Sequence, residues 1–235
     1  MLITGLLAGC AVQPTAVPAI TPQVLRVEIS STLEWLRPEM AECVQPSPGL
    51  RLSVQTIALP EQSLNQADLL LRWSDQPVTD GFAFELGEES LAIIVHRDNP
   101  LEAMDLSMVK DMYYGQVTIW PGTDNATRDA IHQWVLPADS EAQGLFERVV
   151  ISNSQVIRTA KIAPTPAAML EAVMDDPQAI GFLPTRWLDS SVRSIELSNS
   201  PVDKLIMPIL AVTAAEPTGL TRDWLLCVQE RINQQ

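Results

Sequence analysis

Positive charge is scarce in this sequence. Fifteen Lys and Arg stand against 29 Asp and Glu, a net charge of -14; such a field repels a phosphodiester backbone and offers no basic cluster to release its counterions. Nucleic acid is therefore not an expected partner. The same field repels free anions at long range, so an anion site would depend on strong local donors. Histidine is scarcer still: His96 and His132 lie far apart, and no spacing of Cys, His and carboxylates matches a metal set. Neither a Gly-rich phosphate loop nor a nucleophile elbow occurs among the ten glycines. No metal, no cofactor and no catalysed reaction are expected. No stretch reaches the roughly 18 apolar residues that a membrane-spanning helix needs.

What is present is an ordinary globular balance. The sequence is 46% hydrophobic and 19% charged over 235 residues, enough for one large domain or two lobes with a buried core. No internal repeat is visible. Residues 25–29 alternate apolar with charged and predict a first strand, with Ser30, Ser31 and Thr32 as helix-capping candidates. Leu33, Leu36, Met40 and Cys43 share a helical face, but Pro38 inside it predicts a late start or a bend. Strands are expected at 50–54 and 67–71, then at 131–136, 180–183, 192–197 and 205–212. Helices are expected at 140–150, 167–174 and 221–232. Strands alternating with helices indicate a parallel sheet with crossovers.

The middle of the chain carries the densest signal. Residues 91–95 are apolar throughout and read as a buried parallel strand, stopped by His96-Arg97-Asp98-Asn99-Pro100. Asp105 then offers a cap to a helix with Leu106, Val109, Met112 and Tyr113 on one face; Gly115 ends it, and Trp120-Pro121-Gly122 closes the unit. This order of strand, Asn-Pro turn, Leu-rich helix, Gly and Trp resembles the second-lobe entry of the phosphate-type periplasmic solute-binding proteins. Further along, Glu171-Ala172-Val173 with Asp176-Pro177-Gln178-Ala179-Ile180-Gly181-Phe182 is similar to a segment of that family. Met207-Pro208-Ile209, Glu216-Pro217-Thr218-Gly219 and the Trp224-Leu225 helix are similar to its ending. The resemblance covers residues 25–233 in order, weakest before residue 60.

It implies an α/β fold of the type 2 periplasmic-binding-protein class: two lobes, each a mixed sheet flanked by helices, with ligand in the cleft between them. Lobe 1 is expected from 24–88 and 203–235, lobe 2 from 89–202. Before them, residues 1–23 read as a signal remnant and Pro-rich tether. Leu7-Ala8-Gly9-Cys10 is similar to the lipobox of bacterial lipoproteins, in which the Cys carries lipid; a buried free cysteine is the alternative, opposed by Pro14, Pro18 and Pro22. An extracytoplasmic location, anchored by acyl chains to the cell membrane, follows from that resemblance. Secretion would permit a disulfide between Cys43 and Cys227, closing a loop worth roughly 4 to 5 kcal/mol of unfolded-chain entropy; two separate buried thiols are the other reading.

Three places supply helix starts or turns to the expected cleft. Ser31 and Thr32 match the family's first-helix position, where a hydroxyl and backbone N–H groups meet ligand; a plain helix cap reads equally well. Trp73-Ser74-Asp75-Gln76-Pro77 matches its Ser-Asp-Ala-Pro segment, implying Ser74 and Asp75 as ligand residues; an Asx turn before Pro77 is the alternative. Ser140 opens the third helix, but Glu141 and Ala142 replace the family's Gly and Thr, and Leu136 replaces its Arg. Losing a guanidinium removes charge-assisted bonds of roughly 1.5 to 3 kcal/mol each, which puts tight phosphate binding in doubt. Arg72 is a candidate replacement.

The expectation is a monomeric substrate-binding lipoprotein that holds a small solute, an oxyanion such as phosphate among the candidates, for ABC-type uptake through a permease or for sensing. The alternative is a degenerate interaction protein of the same fold without a small-molecule ligand.

Overall fold

The computed structural model describes residues 22–79, 81–122, 130–152, 155–199 and 202–234; Cys10 and most of the tether lie outside them. β1 (Gln23–Ile29) buries Leu25, Val27 and Ile29, the period-2 face anticipated for it. The helix after it starts late. Ser31–Leu36 winds as a 3-10 segment, and α1 (Arg37–Glu42) follows with Pro38 in its first turn, where a missing N–H leaves no bond unmade.

The chain continues through β2 (Leu50–Thr56), β3 (Leu69–Trp73), β4 (Phe82–His96), β5 (Ala103–Asp105) and α2 (Leu106–Tyr113). Asp105 caps α2 by accepting the Ser107 N–H at 2.8 Å, and Gly115, at φ 73°, follows its end in a conformation that favours glycine. Next come β6 (His132–Val135), α3 (Glu141–Val149), β7 (Lys161–Ile162), α4 (Pro166–Asp175) and β8 (Ala179–Pro184). The strand expected at 192–197 is two: β9 (Val192–Ser194) joins the main sheet, and β10 (Glu196–Ser198) leaves it to pair with β5. β11 (Ile206–Thr213) and α5 (Gly219–Asn233) complete the chain.

β1, β2 and β3 are parallel, whereas β11 is antiparallel to both β3 and β4. Residues 91–95 are not the separate parallel strand expected. They are the second half of β4, a strand of 15 residues that is antiparallel to β8, β9 and β11 alike. Burial on both faces makes a strand read as one apolar run whichever way its neighbours point, so the run did not encode direction.

β4 belongs to both lobes. Its first half pairs with β11 as far as Ser90 opposite Ile206, giving the order β2-β1-β3-β11-β4. From Leu91, opposite Pro184, it pairs with β8 and β9, giving β9-β4-β8-β6-β7. The second lobe is packed around stacked Phe146 and Phe182, with ring centroids 4.0 Å apart and the Tyr113 edge at 4.6 Å from Phe146. Burial pushes the Tyr113 phenol well above its ordinary range, and its hydroxyl donates towards the carbonyls of Trp134 and Ile180. Cys43, at the end of α1, is bonded to Cys227 in α5, joining the first and last helices of lobe 1.

Candidate functional site

Two strand ends from different lobes meet at the cleft. β1 stops at Ile29, and Ser30, Ser31 and Thr32 turn the chain into the 3-10 segment; β6 stops at Val135, and Ser140 opens α3. The Thr32 and Ser140 hydroxyl oxygens lie 3.4 Å apart across the interface. Beside them is a cavity of about 300 Å³ whose polar lining is Ser30, Ser31, Thr56, Asp139, Ser140, Glu141 and Thr165. Among the described residues no Lys, Arg or His lines it. Thr165 is partly committed, accepting the Ala168 N–H at 3.2 Å as the cap of α4, and Thr56 accepts from Arg37 at 2.8 Å. Arg37 in turn is paired with Glu34.

Glu141, which stands where the family has Gly, turns its side chain into the interface beside this cavity. Its side chain is buried at 6% exposure, and neither carboxyl oxygen completes a hydrogen bond. Burial raises its pKa. The Ser30 hydroxyl, its own N–H, the Thr32 hydroxyl and the Trp73 N–H lie close enough to oppose that rise without overcoming it. The Ser30 hydroxyl is likewise buried and unpartnered. An acidic residue in a helix's first turn ordinarily reads as a solvated partner of the helix dipole, so sequence periodicity gave no sign that this one points inward.

The other expected residues lie elsewhere. Ser74 and Asp75 follow β3, and neither lines the cavity. Ser74 accepts the Gln76 N–H at 3.1 Å, so the turn before Pro77 is closed by the serine rather than by the aspartate. Asp75 takes Arg148, near the far end of α3, with Nη2 3.3 Å from both carboxylate oxygens. Eight residues of helix separate Arg148 from Ser140, about 12 Å at 1.5 Å per residue. Arg72 does not replace the missing guanidinium. It turns to the opposite side of the sheet, donating to Gln62 at 3.2 Å within a separate depression. Leu136 is buried, its N–H held by Gln143 at 3.0 Å. Trp73 and Trp120 are core residues rather than ligand platforms, each spending its indole N–H on backbone carbonyls.

Further contacts bridge the lobes. Trp187, after β8, donates its indole N–H to the Thr32 carbonyl at 2.8 Å, and the Arg186 guanidinium lies 4.8 Å from the centre of the Trp35 ring. Glu89 on β4 accepts the N–H groups of Ser90 and Thr185 at 2.9 and 3.0 Å and faces Arg186 at 3.5 Å. Burial nonetheless raises its pKa. Among the described residues no cluster of His, Cys, Asp and Glu is arranged to hold a metal ion, and no helix is long and apolar enough to cross a membrane.

Comparison with family models and with characterised sequences yields no match. Solved structures do match. A substrate-binding protein of a phosphate ABC transporter from Clostridium perfringens, with phosphate bound, superposes with a TM-score of 0.76 at 17% identity over 88% of this chain and 93% of its own. An ABC-type phosphate transport receptor from Vibrio cholerae gives 0.65 at 20% identity, covering 89% and 95%. The regulatory domain of MetR, a LysR family regulator from N. meningitidis, gives 0.64 at 15%, covering 91% and 96%. The fold is the two-lobed type 2 periplasmic-binding-like fold, shared by transport receptors and regulatory domains.

Proposed function

We propose that the protein is a solute-binding receptor that takes a small molecule into the cleft between its lobes, in the service of ABC-type uptake or of sensing. One observation carries the reading: the hydroxyl-bearing end of β1 and the start of α3, from different lobes, line one cavity with Ser30, Ser31 and Ser140, and the Thr32 and Ser140 hydroxyls lie 3.4 Å apart beside it. Strand ends and helix starts facing a crevice are where open α/β sheets hold ligands. The likeness to phosphate-binding receptors supports the transport role, and the likeness to a regulatory domain supports sensing equally. Leu7-Ala8-Gly9-Cys10 supports an extracytoplasmic, lipid-anchored chain.

Titration calorimetry of the full chain against anionic, uncharged and cationic small solutes tests this. Saturable binding in one class, weakened by Thr32→Ala, is the expected result; silence in all three would overturn it. A second reading, an interaction module without a solute, is favoured by one feature: side chains of the two lobes already touch across the cleft, at Thr32 and Ser140 and at Asp75 and Arg148. A silent titration would select it. For the anchor, Cys10→Ala should move the protein from the membrane fraction to the soluble one, and an unchanged distribution would remove the lipid from the proposal.

A further inference from the structure

The cleft read above as the solute site gathers donors around a position that already holds a carboxyl group. Lobe 1 contributes the Ser30 and Thr32 hydroxyls and the Trp73 N–H; lobe 2 contributes the first N–H of α3. Convergent hydroxyls and helix-start amides are what an oxyanion needs. The group they surround is the Glu141 side chain, more than nine-tenths buried, with both oxygens free of completed hydrogen bonds and the buried Ser30 hydroxyl unspent beside them. Among the described residues no basic side chain lines the cavity to pair with a second anion.

We infer that Glu141 is an internal ligand of this cleft: its carboxyl occupies the position that the donors of Ser30, Thr32 and Trp73 face, in place of a free oxyanion, and thereby bars phosphate-like solutes. The exclusion works in either protonation state. Ionised, the buried carboxyl repels an incoming anion; protonated, it still occupies the position the donors face. A solute that uses the rest of the cavity is accordingly one without negative charge that brings its own hydrogen-bond donors to the carboxyl. This inference rests on the cleft being the solute site but makes a separate claim about which solutes it admits.

Inorganic phosphate and sulfate are the probes, titrated into the full chain as wild type, Glu141→Gln and Glu141→Ala. Circular dichroism and thermal melting establish that each variant is folded. Wild type and the isosteric Gln variant are expected to show no saturable heat. The Ala variant is expected to bind phosphate at least about tenfold more tightly than wild type, since each charge-assisted bond regained is worth about that factor or more. Adding Ser30→Ala and Thr32→Ala to the Ala variant should abolish the gain. Phosphate binding by wild type as tight as by Glu141→Ala, a folded Ala variant without gain, or a gain that survives loss of both hydroxyls would each overturn the inference. The two claims fail separately. Phosphate bound by wild type ends the internal-ligand claim and leaves the receptor; a gain in the Ala variant, with no solute of any class bound by wild type, does the reverse.

Discussion

Arg148 holds Asp75 across the lobe boundary, its Nη2 3.3 Å from each carboxylate oxygen, at the end of α3 opposite Ser140. The pair fastens lobe 2 to lobe 1 away from the cavity. Both partners are 40% exposed or more, so water screens them, and a coupling of about 0.5 kcal/mol is expected. A double-mutant cycle with Asp75→Asn and Arg148→Ala, read by urea unfolding, measures it. Solute affinity should be nearly indifferent to either change. A large loss of binding in Asp75→Asn would put that carboxylate back in the ligand site.

Glu141 should leave a mark on the pH dependence of stability. Burial raises its pKa above the ordinary 4.5, so the folded chain holds this proton more firmly than the unfolded chain does. The stability that goes with the proton is complete below the ordinary carboxylate range and is lost as pH rises through the folded value. Glu141→Gln carries no such loss. Melting temperatures of the two proteins, compared from pH 4 upward, should therefore diverge in favour of the Gln variant as pH increases. A difference constant with pH, or one in the opposite direction, contradicts the burial described for this carboxyl.

The Cys43–Cys227 bond spans 184 residues of sequence. On the chain-entropy account, removing so long a closure costs about 5 kcal/mol, an upper figure because engineered and native bridges often deliver less. Cys43→Ser with Cys227→Ser should lower the urea midpoint strongly, with a measured cost of a few kcal/mol. Mass spectrometry with thiol labelling should find neither Sγ reactive in the native wild type.

Gly181 lies in β8, where its neighbour α4 presses close. A Cβ built there would come 2.6 Å from the Met169 sulfur and 3.0 Å from a Val173 methyl. Met169 and Val173 are both fully buried, so either gives way only by disturbing the packing around it. Gly181→Ala should therefore cost about 1 to 3 kcal/mol through overpacking, read as a lower urea midpoint with unchanged slope.

Much of the architecture was legible because burial leaves a period. The apolar faces of α2, α4 and α5, the caps of α2 at Asp105 and the late start forced by Pro38 all follow from local chemistry. Strand direction was not legible at residues 91–95, because a strand covered on both faces shows no alternation. The first half of β4, Phe82 to Ser90, was missed altogether: four of its nine residues are Glu or Gly, which local preference disfavours in strands, and tertiary pairing with β11 overrides that preference. At the cleft, Thr32 and Ser140 were recoverable as hydroxyls at helix starts. The inward aim of Glu141, the reach of Arg148 to Asp75 and the closure of Trp187 onto the Thr32 carbonyl depend on contacts between residues 68 to 155 positions apart, which no local pattern records.

The Trp73 indole N–H sits between the Glu89 and Met207 carbonyls, at 3.2 and 3.0 Å, where β4 passes from one lobe to the other and β11 enters the first. Both strands are thus riveted to a single ring, and to each other through Ser90 and Ile206. The halves of the molecule cannot slide past one another along these strands without shearing that rivet. Sliding would break both bonds of that ring, whereas twisting the paired strands about their shared axis leaves them made, so the ring favours torsion over shear.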